Sequence, residues 1–488
     1  MDRPSVTQSV FALLVMTIVF VMPTQWSFEC FSSHLTLADI LLLIAFILWI
    51  VWRVMGSGQS KVTCPPLASL ALVVVIVLSV TYANNRSAAV RETIQWIEYL
   101  LVGYLVFANC IRSEGHLRSV INVFLLITSA IAVYALWQYF TVDNAMDVRG
   151  TFGNRNVLGS FFAIALPFAF SFSLHEKGLM ARLSLWLAVF VGCLTTLSGG
   201  SLLAIVVAIL AISAIRGQKV LLPVLIVLGL SVLFLPVGLK HLRGWVPQNH
   251  GNILVDSVSI HPDGSSLLKT AKVILKAKEL HSEGNYQTAD TLLKTIPTDA
   301  IDDEVASAMT EVRQALDENG IAPGPTPPEI AARYKGWYAA VSLLQKNPRA
   351  LVRGVGGGNY QEEVNREYGS GALAKPSGRV DLAPFFNLHA DEPDSFSQYI
   401  VIAVEYGLLG ILALAWWLHV FLGKAVRSLG HEKNKLGSTI ALGVLGSLIG
   451  FAVNGVFSSG LVRGVALPIV FILAMVAVTE REPSSKQS

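Results

Sequence analysis

Apolar stretches of about 17–25 residues with no internal charge recur through this chain, and no other feature restricts its fold as strongly. A stretch of that length crosses the hydrocarbon core of a bilayer. Its backbone N–H and C=O groups must then bond within the stretch, which makes each one a helix. Composition agrees: 53% of the 488 residues are hydrophobic and 14% charged, where a soluble domain carries about 25% charge. The hydropathy pattern predicts about twelve spans. They fall near residues 9–26, 36–55, 66–83, 92–110, 118–140, 157–175, 182–197, 201–215, 219–237, 397–422, 437–457 and 461–479. A polar stretch, 238–395, separates the ninth from the tenth. The expected fold is an all-α polytopic membrane protein in three parts: nine spans over 1–237, a large and mostly helical loop over 238–395, and three spans with a tail over 396–488.

Charge assigns the sides. With the N-terminus inside, the short inner loops hold Arg53, Lys61, Arg112, Arg118, Lys177, Arg182, Arg216 and Lys219, then Lys424, Arg427, Lys433 and Lys435. The short outer loops hold only Arg86, Arg91, Arg149, Arg155 and Arg463. This is the positive-inside bias, and it puts both termini in the cytoplasm and the long loop outside it. Fusing the two short spans that meet at Ser198-Gly199-Gly200-Ser201 would reverse everything downstream. The first apolar run, Ser9 to Trp26, lacks a strongly basic flank and a small-x-small cleavage site, so it reads as a retained helix. Cys30, Cys64, Cys110 and Cys193 form no CxxC or Cys/His pattern and read as structural thiols. A net charge of +3 makes no case for nucleic acid.

The loop is not low in complexity. Ala277 to Asp290 spaces its small and apolar residues as a tetratricopeptide hairpin does, and Asp302 to Leu316 continues as an amphipathic helix. One hairpin is visible where stacked repeats need three or more, which favours generic helical packing over a peptide-binding array. A second helix, from about Pro328 to Gln345, places Arg333 and Trp337 one turn apart on one face. The run Gly354-Val355-Gly356-Gly357-Gly358-Asn359-Tyr360 follows. It lacks the Lys-Ser/Thr of a phosphate loop and the flanking strand of a dinucleotide site, so it reads as a turn where backbones approach closely.

Four residues stand out chemically. Arg149 and Arg155 lie on the outer side, against the topological bias. A guanidinium fork matches phosphate oxygens, which polyprenyl diphosphates and ordinary lipid headgroups both offer. His389, near the end of the loop, could take a proton from a hydroxyl near pH 7, or could be a solvated surface residue. Glu405 is a carboxyl inside the tenth span, which marks either a functional site or a bond within the bundle. One histidine with Asp391, Glu392 and Asp394 has no metal-ligand spacing, and no metal or cofactor is expected.

In the order of these pieces the chain resembles the O-antigen ligase and polymerase family of bacterial envelope glycan assembly. Arg149-Gly-Thr-Phe-Gly-Asn-Arg-Asn-Val-Leu-Gly159 is similar to that family's arginine-led stretch ahead of a span. Arg333-Tyr-Lys-Gly-Trp337, with Asn347-Pro348 and Gly354 to Tyr360, is similar to its Arg-x3-Trp…Pro…Gly-Val-Gly-x-Gly-Asn-Phe block. His389 and Glu405-Tyr-Gly-Leu-Leu-Gly410 are similar to its terminal loop histidine and following helix. Two departures stand beside these matches. Ser198-Gly199-Gly200 takes the place of a common Ser-Arg-Gly, and His389 lies further from Glu405 than the family spacing. The resemblance implies a bacterial inner-membrane enzyme with a periplasmic loop. It would move a glycan from undecaprenyl diphosphate to a hydroxyl on a lipid, glycan or protein acceptor, without metal or nucleotide sugar. Arg149 and Arg333 would hold the diphosphate, and His389 would orient or deprotonate the acceptor. Arg155, Arg353, Asn359 and Glu405 would contact substrate. A polymerase or protein O-oligosaccharyltransferase fits the same pieces. From other classes, a lipid-linked glycan transporter or a membrane scaffold also fits the hydropathy.

Overall fold

The structure is a computed structural model, and the residues described are 6–24, 27–30, 33–55, 62–141, 148–175, 186, 189, 191–193, 198–217, 337, 339–367, 397–430, 435–459 and 465–480. All of them belong to one compact unit. A second unit, 249–331 with 374–388, lies outside the described residues, and so does the tetratricopeptide-like stretch.

Seven helices are long and apolar enough to cross a membrane: α1 (Val6–Val21, prolonged by a 3-10 turn to Thr24), α2 (Leu37–Val54), α6 (Glu114–Thr141), α7 (Arg155–Ser173), α8 (Gly199–Arg216), α11 (Gln398–Leu429) and α12 (Lys435–Phe457). Two shorter apolar helices join them, α3 (Leu67–Ser79) and α13 (Ala466–Thr479). A further continuous helix is assembled from α4 (Arg86–Ile97), a π turn (Glu98–Gly103) and α5 (Tyr104–Cys110). Two small helices, α9 (Pro348–Arg353) and α10 (Tyr360–Glu367), come from the polar stretch. One feature lies outside the all-helical expectation: β1 (Ser27–Cys30) and β2 (Ser33–Thr36) form a small antiparallel ribbon between α1 and α2. It ends where Thr36 and Asp39 cap α2 reciprocally, at 3.2 and 2.9 Å.

The bundle is sorted by burial. α7 and α13 are buried almost all round, as a helix enclosed by other helices must be. α2 turns Leu43, Ile44, Ile47 and Leu48 outward, and α11 turns out Leu408, Leu409, Leu412 and Trp416. Apolar side chains on the outside suit acyl chains. Helix contact therefore rests on close packing and polar groups rather than hydrophobicity. On α12, Gly443, Gly446 and Gly450 let the helix lie directly on α7 and α8, and the Ser447 hydroxyl donates to the Ile164 carbonyl at 2.7 Å.

Contacts at the helix ends fall into two sets. At one end, Thr151 donates to the Pro23 carbonyl at 2.6 Å and Ser160 meets Ser458 at 2.9 Å. There too, Gln398 N donates to Ser458 O at 3.2 Å and Gly357 N to the Ser79 hydroxyl at 3.1 Å. At the other, Thr63 exchanges bonds with Asn109 at 2.9 and 3.0 Å, Arg112 lies 4.3 Å over Trp52, and His175 meets Arg216 at 3.4 Å. α7 and α8 are thus parallel: Gly159 faces Ser201 near their first turns and His175 faces Arg216 beyond their last. Two parallel neighbours need a return pass between them. Trp186 packs on Phe170 at 5.0 Å and Gly192 on Leu166, so that stretch runs antiparallel to α7. α8 begins at Gly199, and most of the expected preceding span, 182–197, lies outside the described residues. The ninth expected span, 219–237, lies outside the described residues.

Candidate functional site

The glycine-rich run and the broken helix α11 build one another. Asn347 caps α9, accepting from Ala350 N at 3.2 Å, and Pro348 fits its first turn. α9 ends at Gly354, with φ +79°, where a Cβ would collide with the Glu405 carbonyl. α11 leaves helical geometry at Gly407, with φ 65° and ψ −159°, where a Cβ would collide with the Val352 carbonyl. Two backbones cross here, and only glycine fits at either crossing point. At the break, the Val404 and Glu405 carbonyls accept from Val355 N at 2.8 Å and Gly356 N at 2.9 Å. The amides and carbonyls freed by the break thereby find partners within the protein.

The turn between α3 and α4 holds the other side of the loop. Asn359 accepts from Asn85 N at 2.7 Å and donates to Gly357 O at 2.8 Å. Tyr360 N donates to a Glu405 carboxyl oxygen at 3.2 Å. Burial beside Glu405 pushes the Tyr360 phenol well up, so it stays neutral. The Tyr82 hydroxyl donates to the Arg353 carbonyl, and the Arg353 guanidinium lies 4.8 Å over the Tyr82 ring.

Between these pieces opens a cavity of about 260 Å³, whose polar wall is Tyr82, Asn84, Asn347, Arg349, Arg353 and Glu363. Glu363 accepts from Asn84 at 2.6 Å and from Arg366 at 2.8 Å. That volume falls just under the range of about 300–1,000 Å³ common for small-molecule clefts. It suits an anionic head group better than a whole oligosaccharide. The Arg349 and Arg353 guanidinium groups in this lining supply forked donors for phosphate oxygens, and the amides and carboxylate beside them can bond hydroxyls.

No protein-family model matches the chain. No curated protein matches it either. The geometry and the sequence therefore carry the functional argument.

Of the residues singled out by sequence, Arg353 lines the cavity, while Asn359 and Glu405 hold its floor in place. Arg149 is exposed on a separate loop that Gln138 fastens, accepting from Arg149 N and Gly150 N at 3.2 and 2.7 Å. Arg155 opens α7 behind the Asn154 cap. Arg333 and His389 lie outside the described residues. Among the described residues no three His, Cys, Asp or Glu side chains gather as a metal site. Sequence reading passed over Tyr82, Asn84, Arg349 and Glu363. Arg349 had a legible signal, standing one helical turn before Arg353. Tyr82 and Asn84 had none, because their partners are some 270 positions away. The polar stretch also divides differently from the expected single loop: 339–367 packs with the spans because the broken α11 needs its amides.

Proposed function

We propose that this protein is a membrane glycosyltransferase that moves a glycan from undecaprenyl diphosphate to an acceptor hydroxyl on the outer face of a bacterial inner membrane. One observation carries the reading: the arginine-walled cavity opens at the helix end that also holds the Arg149–Arg155 loop. In this reading about twelve spans cross the membrane, both termini are cytoplasmic, and the 238–395 stretch is periplasmic.

The chemistry needs no electron transfer. An acceptor oxygen attacks the anomeric carbon, the bond from that carbon to the diphosphate oxygen breaks, and undecaprenyl diphosphate leaves with the electron pair. Arginines, with Arg333 and Arg149 the expected pair and Arg349 and Arg353 added by the cavity, offset the charge that grows on the leaving group. His389 takes the proton from the acceptor hydroxyl. Arg155, Asn359 and Glu405 support the donor side. Lipid, glycan or protein acceptors would make the enzyme a ligase, a polymerase or a protein O-oligosaccharyltransferase respectively.

A transporter of lipid-linked glycan is the second reading, favoured by the break in α11, since transporters use discontinuous helices at their sites. Against it, the break is closed by the glycine loop rather than left lining a passage. Reconstitution decides between them. Purified protein in liposomes, with an undecaprenyl-diphosphate glycan, candidate acceptors and EDTA, is expected to yield a glycosylated acceptor by gel and mass spectrometry. Arg333→Ala and His389→Ala should abolish that product. Donor moving between leaflets with no acceptor modified would establish the transporter instead.

A further inference from the structure

The cavity is lined by charges of both signs, and a site for a bare anion has no use for one of them. Arg349 and Arg353 are exposed, whereas Glu363, on α10, is only 6% exposed. All three line a space of about 260 Å³. A phosphate held there by the arginines would also meet this carboxylate, and like charges repel. The carboxylate therefore suits a ligand that brings donors as well as negative charge.

Glu363 is held firmly and keeps acceptor capacity. Its backbone N–H donates to Asn359 O at 3.1 Å, and Asn359 in turn accepts from Asn85 N at 2.7 Å. On the side chain, Asn84 donates to Oε1 at 2.6 Å and Arg366 donates to the same oxygen at 2.8 Å. A carboxylate has about four acceptor sites over two oxygens, so two bonds on one oxygen leave room for a hydroxyl. The Asn84 and Asn347 amides lie in the same lining, and Leu343, Ala350 and Val355 add apolar surface. Hydroxyls on a ring with C–H faces, joined to a phosphate, satisfy all of these groups at once. That is the chemistry of a sugar phosphate.

We propose that the cavity is a sugar-phosphate pocket in which Arg349 and Arg353 hold phosphate oxygens while Glu363, fixed by Asn84, accepts from a ring hydroxyl and so selects the sugar. In the lipid-linked donor, the sugar joined directly to the diphosphate is the one that would enter. That assignment to the donor rests on the transferase reading; the pocket itself rests on the lining and the bonds of Glu363.

Saturation-transfer NMR on the full-length protein in nanodiscs tests it, with empty nanodiscs as the blank. The probes are the 1-phosphates of glucose, galactose and N-acetylglucosamine, beside ethyl phosphate, which has no hydroxyl, and glycerol 3-phosphate, which represents a lipid headgroup. At least one sugar 1-phosphate should bind about tenfold more tightly than ethyl phosphate, the worth of one hydrogen bond to a charged group. Glu363→Gln should remove that preference while ethyl phosphate binds as well as before or better. Arg349→Ala should weaken both. These opposite responses are not what a collapsed pocket gives. Equal binding of sugar 1-phosphates and ethyl phosphate overturns the proposal, as does absence of binding or a preference that survives Glu363→Gln. Glycerol 3-phosphate binding as tightly as every sugar 1-phosphate assigns the pocket to headgroups and overturns it equally. Should Glu363→Gln fail to fold, deoxyfluoro sugar 1-phosphates on the wild type take its place. Fluorine cannot donate, so binding must fall at one ring position, and no fall at any position overturns the proposal. Glycan transfer without sugar-phosphate binding sinks this inference and spares the transferase. Binding without transfer keeps the pocket and removes the transferase reading.

Discussion

Arg353 bonds Tyr82 through its carbonyl while its guanidinium lies over the same ring and borders the cavity. Its charge is therefore held in place without being neutralised by a carboxylate in that contact. Hydrogen bonds to charged groups are worth about 1.5–3 kcal/mol, and Arg353 is exposed, so the lower end applies. Arg353→Ala and Arg349→Ala should each lower kcat/KM for the lipid-linked donor about tenfold. Arg118→Ala, which breaks an exposed ion pair with Glu114, should leave it unchanged, and equal losses in all three would point to unfolding. Asn359 works structurally. Its truncation to Ala orphans Asn85 N–H in a part-buried turn and should cost about 1–3 kcal/mol, read as a lower thermal midpoint in detergent. An unchanged midpoint would show that water replaces the bond.

At the scale of elements, α11 is a helix interrupted for a purpose. The 32 residues exceed the roughly 20 that a span needs, so the break at Gly407 leaves ample helix to cross. Gly407→Ala forces a Cβ into the Val352 carbonyl and an L residue into positive φ. A strain of about 1–3 kcal/mol is expected, with the loss of stability accompanied by proteolytic exposure of 354–360. Straightening of α11 without loss of stability would refute the account given of the loop. The neighbouring helices are joined differently. On α7, α8 and α12, Ser160, Ser201 and Asn454 bond in series at 2.9 and 2.7 Å, and such interhelical bonds fix register where lipid gives no hydrophobic drive.

For the whole molecule, the two sets of end contacts assign residues to opposite sides. In a background with Cys30→Ser and Cys64→Ser, impermeant thiol reagents on intact cells should label Arg86→Cys and Gly153→Cys. Arg118→Cys and Lys435→Cys should react only after permeabilisation. Mixed labelling within either pair would break the arrangement of helices. Full reversal would keep the fold but put the cavity in the cytoplasm, removing the proposed donor and acceptor side.

Much of the bundle was legible in advance because partition into lipid depends on each stretch's own length and charge. The seven helices long and apolar enough to cross a membrane needed no partner to be recognised. The boundary of α11 and the role of 339–367 were not legible. A helix break is stabilised by amides from elsewhere, and Gly407 alone does not say where they come from. The sequence by itself thus determined a helical membrane protein and marked the glycines and Arg353. Only the tertiary structure decided that Tyr82, Asn84 and Glu363 share a cavity with Arg353. The bonds from Tyr82 to Arg353 and from Asn84 to Glu363 bridge some 270 to 280 positions of chain, and contacts at that separation leave no local periodicity to read.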